Sequence, residues 1–406
     1  MARRLSPTRT IIASFATEQS TIAAGQSSAL GEYEEGLYVL QLVSGPCSGI
    51  PSSATTPLSC SLSNKSVQTY DKGTHALIHS IGRAHGGPIT DLCHTGVEGN
   101  AVITSGADGL VRLFDLRVSA ACGASSAAAA ANTSKALSRA VAEVCLPRKE
   151  EALSVSIGYG GALAAVGGSR GLIHFYDLRS VGGPGVGNGG TSSNTDDRPS
   201  LLGTYEDAHT EEVTRVRFQP SPDLSGTTTS LLVSSSEDGL VCTHDTSKPN
   251  EEAALSSVLN VGTPLRDVGF FGPAGEGLYC LTGSETISVW HHDSAQRLCD
   301  FGADVRDHLS NSAGCDIGYL VGCTWDGNEL SLLGGNSEGN AAVFRIDAGS
   351  MTLSHTMSGG HKGCVRGFVV SRDVIQSRHR VLVTGGEDAR LCEWHLDGEQ
   401  QQQHQQ

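Results

Sequence analysis

Three stretches of the chain each bring together a histidine, a hydroxyl residue and an aspartate, the groups used in acid–base and nucleophilic catalysis. The sets, in chain order, are His85 with Thr104 and Asp108, His209 with Ser234 and Asp238, and His361 with Thr384 and Asp388. In a hydrolase the histidine of such a set would be the base for the hydroxyl group, and the aspartate would orient the histidine. Because the same order recurs in three places, the pattern indicates a repeated structural unit instead of one active centre.

The spacing of each set requires several neighbouring strands to bring its members together. In each copy an apolar run follows the histidine, small residues lead to the aspartate, and a further strand ends at an aromatic residue or its substitute. That last position holds Phe114, His244 and Trp394 in chain order. A buried aspartate needs hydrogen-bond partners, and a chain of His, Asp and hydroxyl groups supplies them. We therefore interpret the sets as internal supports of the fold, complete only where Trp394 adds an indole N–H.

The recurring segments resemble the repeats of the WD-repeat family, whose unit of about 40–45 residues folds as one four-stranded propeller blade. The most particular part of the likeness is the segment Gly359–His361 together with Gly385–Ala389. In that family the four groups form a hydrogen-bonded tetrad. The resemblance implies structural tetrads at His361, Thr384, Asp388 and Trp394, at His85, Thr104, Asp108 and Phe114, and at His209, Ser234 and Asp238.

Seven repeat units can be placed along the chain, so we predict an all-β fold, a seven-bladed WD-repeat β-propeller over residues 8–397. The 51 glycines and the aromatic content of 5% agree with many short strands joined by tight turns. After Trp394 the chain runs into a polar tail, and the last blade therefore lacks a fourth strand. The β-prone segment Thr10–Phe15 is predicted to supply it and to close the propeller by pairing with the last blade, which removes exposed sheet edges.

The remaining segments are assigned by composition. Residues 1–7 are predicted to be an N-terminal extension, residues 119–138 and 181–200 flexible insertions, and residues 398–406 a Gln-rich disordered tail. The tripeptide Trp325-Asp326-Gly327 spells the dipeptide that gives the family its name, but it falls between two strand-like runs. We interpret it as a loop.

Composition argues against several function classes. The net charge of -15, without a run of Lys or Arg, does not favour nucleic-acid binding. No apolar run approaches the roughly 20 residues that span a bilayer, so we expect a soluble protein without a membrane partner. The 12 cysteines contain no Cys-x-x-Cys pair, and several lie in strand-like apolar runs, as reduced thiols do. We therefore expect an intracellular location, cytoplasmic and/or nuclear.

Two further motifs could bind a cofactor or a metal. Gly185, Gly187 and Gly190 match the spacing of a dinucleotide fingerprint, but acidic and hydroxyl residues follow them instead of a helix. His291-His292 with Cys299 is the nearest approach to a zinc site, and it lacks a second pair of ligands. The sequence therefore predicts no cofactor, no metal and no enzymatic activity.

Two strand ends indicate a protein partner. Arg117 and Arg179 each follow an aromatic–Asp pair by two residues. These boxes are similar to those through which many WD-repeat substrate receptors dock on the adaptor of cullin-RING ubiquitin ligases, and the resemblance gives both arginines the docking role. The alternative is that each arginine pairs with a nearby acid.

We therefore predict a non-catalytic scaffold for other proteins, whose identity the sequence does not encode. A substrate receptor that docks on the ubiquitin-ligase adaptor is the alternative function. A hydrolase housed in a propeller, as a third class, would require acids or a metal gathered at the central channel.

Overall fold

The computed structural model describes residues 3–13, 36–44, 57–95, 100–117, 135–136, 140–179, 199–221, 228–347, 349–372 and 380–396. In these residues the chain forms many short β-strands and very little helix. The strands group into seven sheets. The chain divides into two compact units, Leu40–Val305 and a second unit that combines Met1–Val39 with Arg306–Gln406.

We number the sheets as blades in chain order, after two N-terminal strands, β1 (Arg3–Leu5) and β2 (Arg9–Ile12). Blade one consists of β3 (Val39–Ser44), β4 (Pro57–Leu62), β5 (Val67–Asp71) and β6 (Leu77–Ile81). Blade two consists of β7 (Ile89–Thr95), β8 (Ala101–Gly106), β9 (Leu110–Asp115) and, after the short strand β10 (Lys135–Ala136), β11 (Ala142–Cys145). A 3₁₀ turn (Pro147–Lys149) leads to blade three, which consists of β12 (Ala152–Gly158), a second 3₁₀ turn (Tyr159–Gly161), β13 (Leu163–Gly168), β14 (Ile173–Asp177) and β15 (Ser200–Tyr205).

The remaining blades follow the same plan. Blade four consists of β16 (Val213–Pro220), β17 (Thr228–Ser236), β18 (Leu240–Asp245) and, after helix α1 (Glu251–Ala254), β19 (Leu255–Asn260). Blade five consists of β20 (Leu265–Phe271), β21 (Gly277–Thr282), β22 (Ile287–His291) and β23 (Gln296–Asp300). Helix α2 (Val305–Ala313) precedes blade six, which consists of β24 (Tyr319–Trp325), β25 (Leu330–Gly335), β26 (Ala341–Asp347) and β27 (Ser350–Met357). Blade seven consists of β28 (Val365–Arg372), β29 (Arg380–Gly386), β30 (Arg390–His395) and β2.

The N-terminal strand β2 completes the last blade. It pairs antiparallel with β30, where Thr10 is opposite Cys392 and Ile11 is opposite Leu391. Seven consecutive antiparallel four-strand sheets, the last completed by the N-terminus, are the strand order of a seven-bladed β-propeller. The predicted fold class and its N-terminal closing strand are therefore confirmed, although the observed strand is Arg9–Ile12 instead of Thr10–Phe15.

Two short strands add to blades by parallel pairing. β1, in the segment predicted to be an extension, pairs with β27 of blade six. β10 lies within 119–138 and pairs with β6 of blade one. Of the second predicted insertion, Pro199 and Ser200 are described, and Ser200 begins β15. The rest of both insertions and the tail 398–406 lie outside the described residues.

The core consists of apolar clusters, each shared by consecutive blades. Phe114 of blade two packs in one cluster with Val67 and Ile81 of blade one. Trp394 of blade seven packs in another with Leu333 of blade six. Within each unit, neighbouring blades therefore bury their apolar faces against each other, as sheets with two apolar faces must.

Two other sequence features find their place in the fold. Trp325 ends β24, and Asp326 and Gly327 lie in the loop before β25, where the sequence predicted a loop. Among the residues described above, neither α-helix has the length and apolar character needed to cross a membrane.

Candidate functional site

The set with Trp394 forms a closed chain of hydrogen bonds inside blade seven. His361 precedes β28, Thr384 lies on β29, and Asp388 lies in the turn before β30. The Nδ1 atom of His361 is 3.0 Å from Oδ1 of Asp388, and its Nε2 atom is 2.8 Å from Oγ1 of Thr384. Trp394 donates its indole N–H to the same Oγ1 at 2.8 Å. All four side chains are buried, so no substrate can reach the hydroxyl group.

The Asp388 carboxylate also accepts hydrogen bonds from the backbone around it. The backbone N–H groups of Lys362 and Arg390 donate to its two oxygens at 2.7 Å and 3.2 Å. Gly386 is required beside it, since a Cβ there would lie 2.9 Å from Nδ1 of His361 and 2.9 Å from the Cys364 carbonyl oxygen. The backbone hydrogen bonds hold the Asp388 carboxylate in place, and the absence of a side chain at Gly386 leaves room for the His361 ring beside it.

Blade two contains the same arrangement without the indole. His85 Nδ1 is 2.9 Å from Oδ1 of Asp108, and His85 Nε2 is 2.7 Å from Oγ1 of Thr104. Phe114 takes the position of Trp394 and is 3% exposed, but it offers no N–H. Arg112 donates to the carbonyl oxygen of Ala84 at 2.6 Å, next to the histidine.

Blade four brings together His209, Ser234 and Asp238. His209 Nδ1 is 3.1 Å from Oδ2 of Asp238, and His209 Nε2 is 2.8 Å from Oγ of Ser234. His244 replaces the tryptophan, and its ring centroid lies 4.9 Å from that of Tyr205. Neither nitrogen of the His244 ring has a hydrogen-bond partner among the described residues, although the side chain is 0% exposed.

The protonation of the histidine argues against general-base catalysis in blade seven only. Burial lowers the pKa of His85 and of His209, against the attraction of their aspartates. Burial acts to lower the pKa of His361, but its interactions with Asp388 and Cys392 together outweigh burial and raise the pKa to about 9. A protonated His361 cannot accept a proton from Thr384. The pKa of Asp388 is lowered, since its bonds to His361 and the backbone outweigh burial.

Blade three contains a buried acid–histidine pair that the sequence did not reveal. Nε2 of His174, on β14, contacts the Glu150 carboxylate, and its Nδ1 lies 2.9 Å from Oγ1 of Thr204. A Cβ on Gly168 would lie 2.8 Å from the Glu150 carboxyl group. Glu150 therefore sits against Gly168 as the His361 ring sits against Gly386. Sequence comparison with the other blades did not find it because histidine and acid have exchanged places.

A second polar cluster connects the first strands of blades one to five. We call it the Asp91 network; its members are Gln41, Asp91, Ser154, Arg215, Arg217 and Asp267. Asp91 is 0% exposed and accepts hydrogen bonds from Gln41 at 2.6 Å, Ser154 at 2.6 Å and Arg217 at 2.9 Å. Side chains from blades one, two, three and four thus meet at one carboxylate.

Arg215 extends the network to blade five. Its Nη1 is 3.5 Å from Asp91, and its Nε donates to Asp267 at 3.1 Å. Burial acts to raise the pKa of Asp91, but the Arg217 and Arg215 guanidinium groups outweigh it and keep the pKa below its usual range. Two carboxylates and two guanidinium groups are matched, so the network has no net charge with which to bind a charged ligand.

The two arginines of the predicted docking boxes lie at equivalent, exposed strand ends. Arg117 follows β9 and Arg179 follows β14, and their side chains are 56% and 72% exposed. Each folds back on its own strand-end acid: Arg117 donates to Asp115 at 2.8 Å and 3.0 Å, and Arg179 to Asp177 at 2.6 Å and 2.9 Å. The hydrogen bonds from Arg179 lower the pKa of Asp177 to about 2.

The other predicted candidates do not form a metal site in the described part of the chain. His291 and His292 stack with ring centroids 6.0 Å apart, and Nδ1 of His292 lies 2.9 Å from Asp293. In the described ranges no three His, Cys, Asp or Glu side chains are grouped so as to hold a metal ion. Gly185, Gly187 and Gly190 fall outside those ranges.

Sequence comparison finds relatives over about half of the chain. A WD repeat-containing protein 89 homolog of Dictyostelium discoideum is 31% identical over 196 residues, which are 48% of this chain and 52% of the relative. WD repeat-containing protein GTS1 of Arabidopsis thaliana is 32% identical over 201 residues, 47% of this chain and 49% of the relative. The chain thus spans about half the length of these curated relatives. No protein-family model matches it.

Structural comparison covers nearly the whole chain. A chain in the crystal structure of the mitotic checkpoint complex superposes with a TM-score of 0.58 over 93% of this chain and 97% of its own length. At 12% identity this likeness concerns the fold alone. Together with the seven sheets, it establishes the fold. The chain is a seven-bladed β-propeller.

In this propeller, blade seven carries all four groups of the tetrad, while blades two and four lack the tryptophan. Blade three has the Glu150–His174 pair instead. No sequence pattern revealed the Asp91 network as a whole, but a partial signal was present: Asp91 and Arg217 are charged residues next to apolar residues in the first strands of their blades. The hydrogen bond between these two residues could not be predicted from the sequence, since 126 positions separate them.

Proposed function

We propose that this propeller is a non-catalytic scaffold of the WD-repeat type that binds other proteins through its surface. The proposal rests on one observation above all: the groups able to do acid–base chemistry are buried and hydrogen-bonded within blades. What the blades present to solvent is strand ends, turns and sheet edges, which are held on a rigid framework and suit protein recognition. The names of both relatives describe WD-repeat proteins.

Affinity capture with chemical crosslinking tests the scaffold. The tagged full chain should retain protein partners whose crosslinks map to exposed turns and strand edges. Thr384→Val removes the tetrad hydroxyl group at nearly constant volume, and we expect it to change capture only in proportion to the folded fraction. A chain that captures nothing, but hydrolyses ester or phosphate reporters and loses that activity in Thr384→Val, would contradict the proposal.

A substrate receptor of a cullin-RING ubiquitin ligase is the second candidate. It is supported by the position of Arg117 and Arg179 after the third strands of two consecutive blades, where both guanidinium groups are exposed. Their ion pairs with Asp115 and Asp177 lie at the surface, where ion pairs contribute little to stability. Either arginine can therefore exchange its own acid for one on a partner at little cost.

Charge reversal separates this candidate from a scaffold of another kind. The double variant Arg117→Glu/Arg179→Glu should lose binding to the purified adaptor, measured by biolayer interferometry. Arg345→Glu is the matched control, because Arg345 is 50% exposed and pairs with Asp347 at 2.9 Å at the end of the corresponding strand in blade six. Equal binding by the wild type and the double variant would eliminate the receptor candidate and leave the scaffold proposal standing.

A further inference from the structure

Two blades carry a fifth strand supplied by the same chain, and both fifth strands bind in the same register. In blade six, Arg3 of β1 is opposite His355, the residue that follows the β-bulge at Ser354. In blade one, Lys135 of β10 is opposite His79, which follows the bulge at Ile78. The bulge in the fourth strand therefore marks where a parallel fifth strand begins to pair.

Blade four has the same bulge with nothing paired beyond it. Thr243 is opposite Ser257 and His244 is opposite Leu255, so Ser256 is the bulged residue of β19. The equivalent docking segment is therefore Ser257–Leu259. Within the described residues no strand pairs with the free edge of β19. An open edge of this kind exposes backbone N–H and C=O groups that can pair with an added strand.

Among the residues that the structure describes, no segment is in position to cover this edge. β1 and β10 each lie directly before the fourth strand of the next blade, β2 and β11. For blade four the corresponding segment is the turn between β22 and β23, which consists of residues 292–295 only. This turn contacts the edge, since Ser257 donates its hydroxyl proton to the carbonyl oxygen of His292 at 2.6 Å, but it is too short to add a strand.

Apolar side chains are exposed at the open edges. Five of the eight large hydrophobic side chains that are exposed in the described residues lie on β15, β19 and β23, the fourth strands of blades three, four and five: Leu201, Leu202, Leu255, Val258 and Leu298. On β19, Leu255 and Val258 are each 43% exposed. Covering them would contribute to binding, at about 25 cal/mol for each Å² of apolar surface buried.

The two other outer edges that expose large apolar side chains, those of β15 and β23, are less suited. At the end of β15, the Glu251 carboxylate accepts hydrogen bonds from the backbone N–H groups of Glu206 and Asp207 at 2.7 Å and 3.0 Å, so helix α1 already occupies that end. β23 ends at Asp300, and only two of its residues follow its bulge. Of the strands β15, β19 and β23, only β19 has both two exposed apolar residues and three unoccupied residues after its bulge.

Charge indicates the composition of the added strand. Exposed acids flank the docking segment: Glu252 lies just before β19, and Asp293, 73% exposed, follows His292 in the turn that contacts Ser257. The chain's own fifth strands carry the opposite charge, with Arg3 and Arg4 in one and Lys135 in the other. Arg4 donates to Oγ of Ser358 at 3.1 Å, and Leu5 packs against the apolar cluster of blades six and seven.

We propose that the free edge of β19 binds an extended segment of a partner protein as a parallel fifth strand. The segment carries basic residues followed by an aliphatic one, the pattern of Arg3-Arg4-Leu5. This inference rests on the proposed scaffold function and names one of its surfaces. The backbone hydrogen bonds supply affinity, while the flanking acids and the exposed apolar pair select the sequence.

A peptide titration tests the site on the full chain. The probe is a fluorescein-labelled peptide with the sequence of residues 1–9. We expect saturable binding by fluorescence anisotropy, and slower amide hydrogen exchange in residues 257–259. Val258→Lys should weaken binding at least tenfold, whereas Leu298→Lys, the matched change on the exposed edge of blade five, should not. N-methylation of the peptide at Arg4 and Leu5 should abolish binding, since it removes backbone donors.

Several results would overturn the inference. Protection at residues 355–357 instead of 257–259 would mean that the peptide only displaces β1. Equal affinity of wild type and Val258→Lys would exclude β19 as the site. Self-association in sedimentation that Val258→Lys removes would identify a second copy of the chain as the occupant. If β19 fails while the chain still captures crosslinked partners, the scaffold proposal stands; if the chain captures none, that proposal fails as well.

Discussion

His244 should make blade four sensitive to acid. Its ring occupies the position of Trp394, is 0% exposed, and has no hydrogen-bond partner among the described residues. Burial, with a smaller contribution from His209, lowers the pKa of His244 to about 4, from about 6.5 in the unfolded chain. In the folded protein the ring is therefore neutral at pH 5, whereas in the unfolded chain it is protonated.

The sign and size of the effect follow from linkage. Because the folded pKa lies below the unfolded one, stability is unaffected above pH 6.5 and is lost as the pH falls toward 4. Between pH 7.5 and pH 5 this one residue should reduce the free energy of unfolding by about 2 kcal/mol, out of a full effect of about 3 kcal/mol.

His244→Phe tests the prediction, since phenylalanine is the residue of blade two at this position. Urea unfolding followed by tryptophan fluorescence at pH 7.5 and pH 5 should show a drop in stability that is about 2 kcal/mol smaller in the variant than in the wild type. Tyr205→Phe, which keeps the ring 4.9 Å from His244, should retain the wild-type drop. If the free energy of unfolding falls equally in the wild type and in His244→Phe, His244 is not a buried, neutral histidine in the folded protein.

Two more perturbations follow from buried contacts. Arg217→Met removes a donor 2.9 Å from the fully buried Asp91, and the loss of this charged hydrogen bond should cost about 2–3 kcal/mol by urea unfolding. Adding Asp91→Asn should recover part of that loss. If it recovers none, an uncompensated Asp91 charge is not the cause of the loss. Gly106→Ala places a Cβ against the His85 ring and should cost about 1–3 kcal/mol, whereas Gly203, with nothing within 4 Å of its Cβ position, should accept alanine with a change in melting temperature of a few degrees at most. Equal shifts in melting temperature for Gly106→Ala and Gly203→Ala would show that the His85 ring does not exclude a side chain at residue 106.

The parts of the fold that could be predicted are those that repeat. His361, Thr384, Asp388 and Trp394 lie in four segments of one blade, and their order is repeated elsewhere in the chain, so local pattern was enough. The closing strand could be predicted because an incomplete last blade demands a partner. β1 could not be predicted, because three residues, two of them charged, carry no strand periodicity.

The parts that could not be predicted depend on contacts between blades or on exchanged positions. Arg217 reaches Asp91 across two blade boundaries, and no local spacing encodes that distance. The pairing of Glu150 with His174 was not predicted because the order of the two groups is reversed. In the tetrads the histidine precedes the blade and the acid follows, whereas here the acid precedes the blade and the histidine lies on its third strand. The pairing of Arg117 with Asp115 is local, but whether a partner replaces that acid is a property of the partner.

The His–Asp–hydroxyl sets stabilise the blades from inside, which leaves the surface for binding. Unfolding free energies of His361→Ala, Asp388→Ala and the double variant, compared with that of the wild type, test this structural role. We expect each single change to cost about 2–4 kcal/mol and the double change to cost clearly less than their sum, because the two side chains form one hydrogen-bonded unit. Single variants within about 0.5 kcal/mol of the wild type would contradict it.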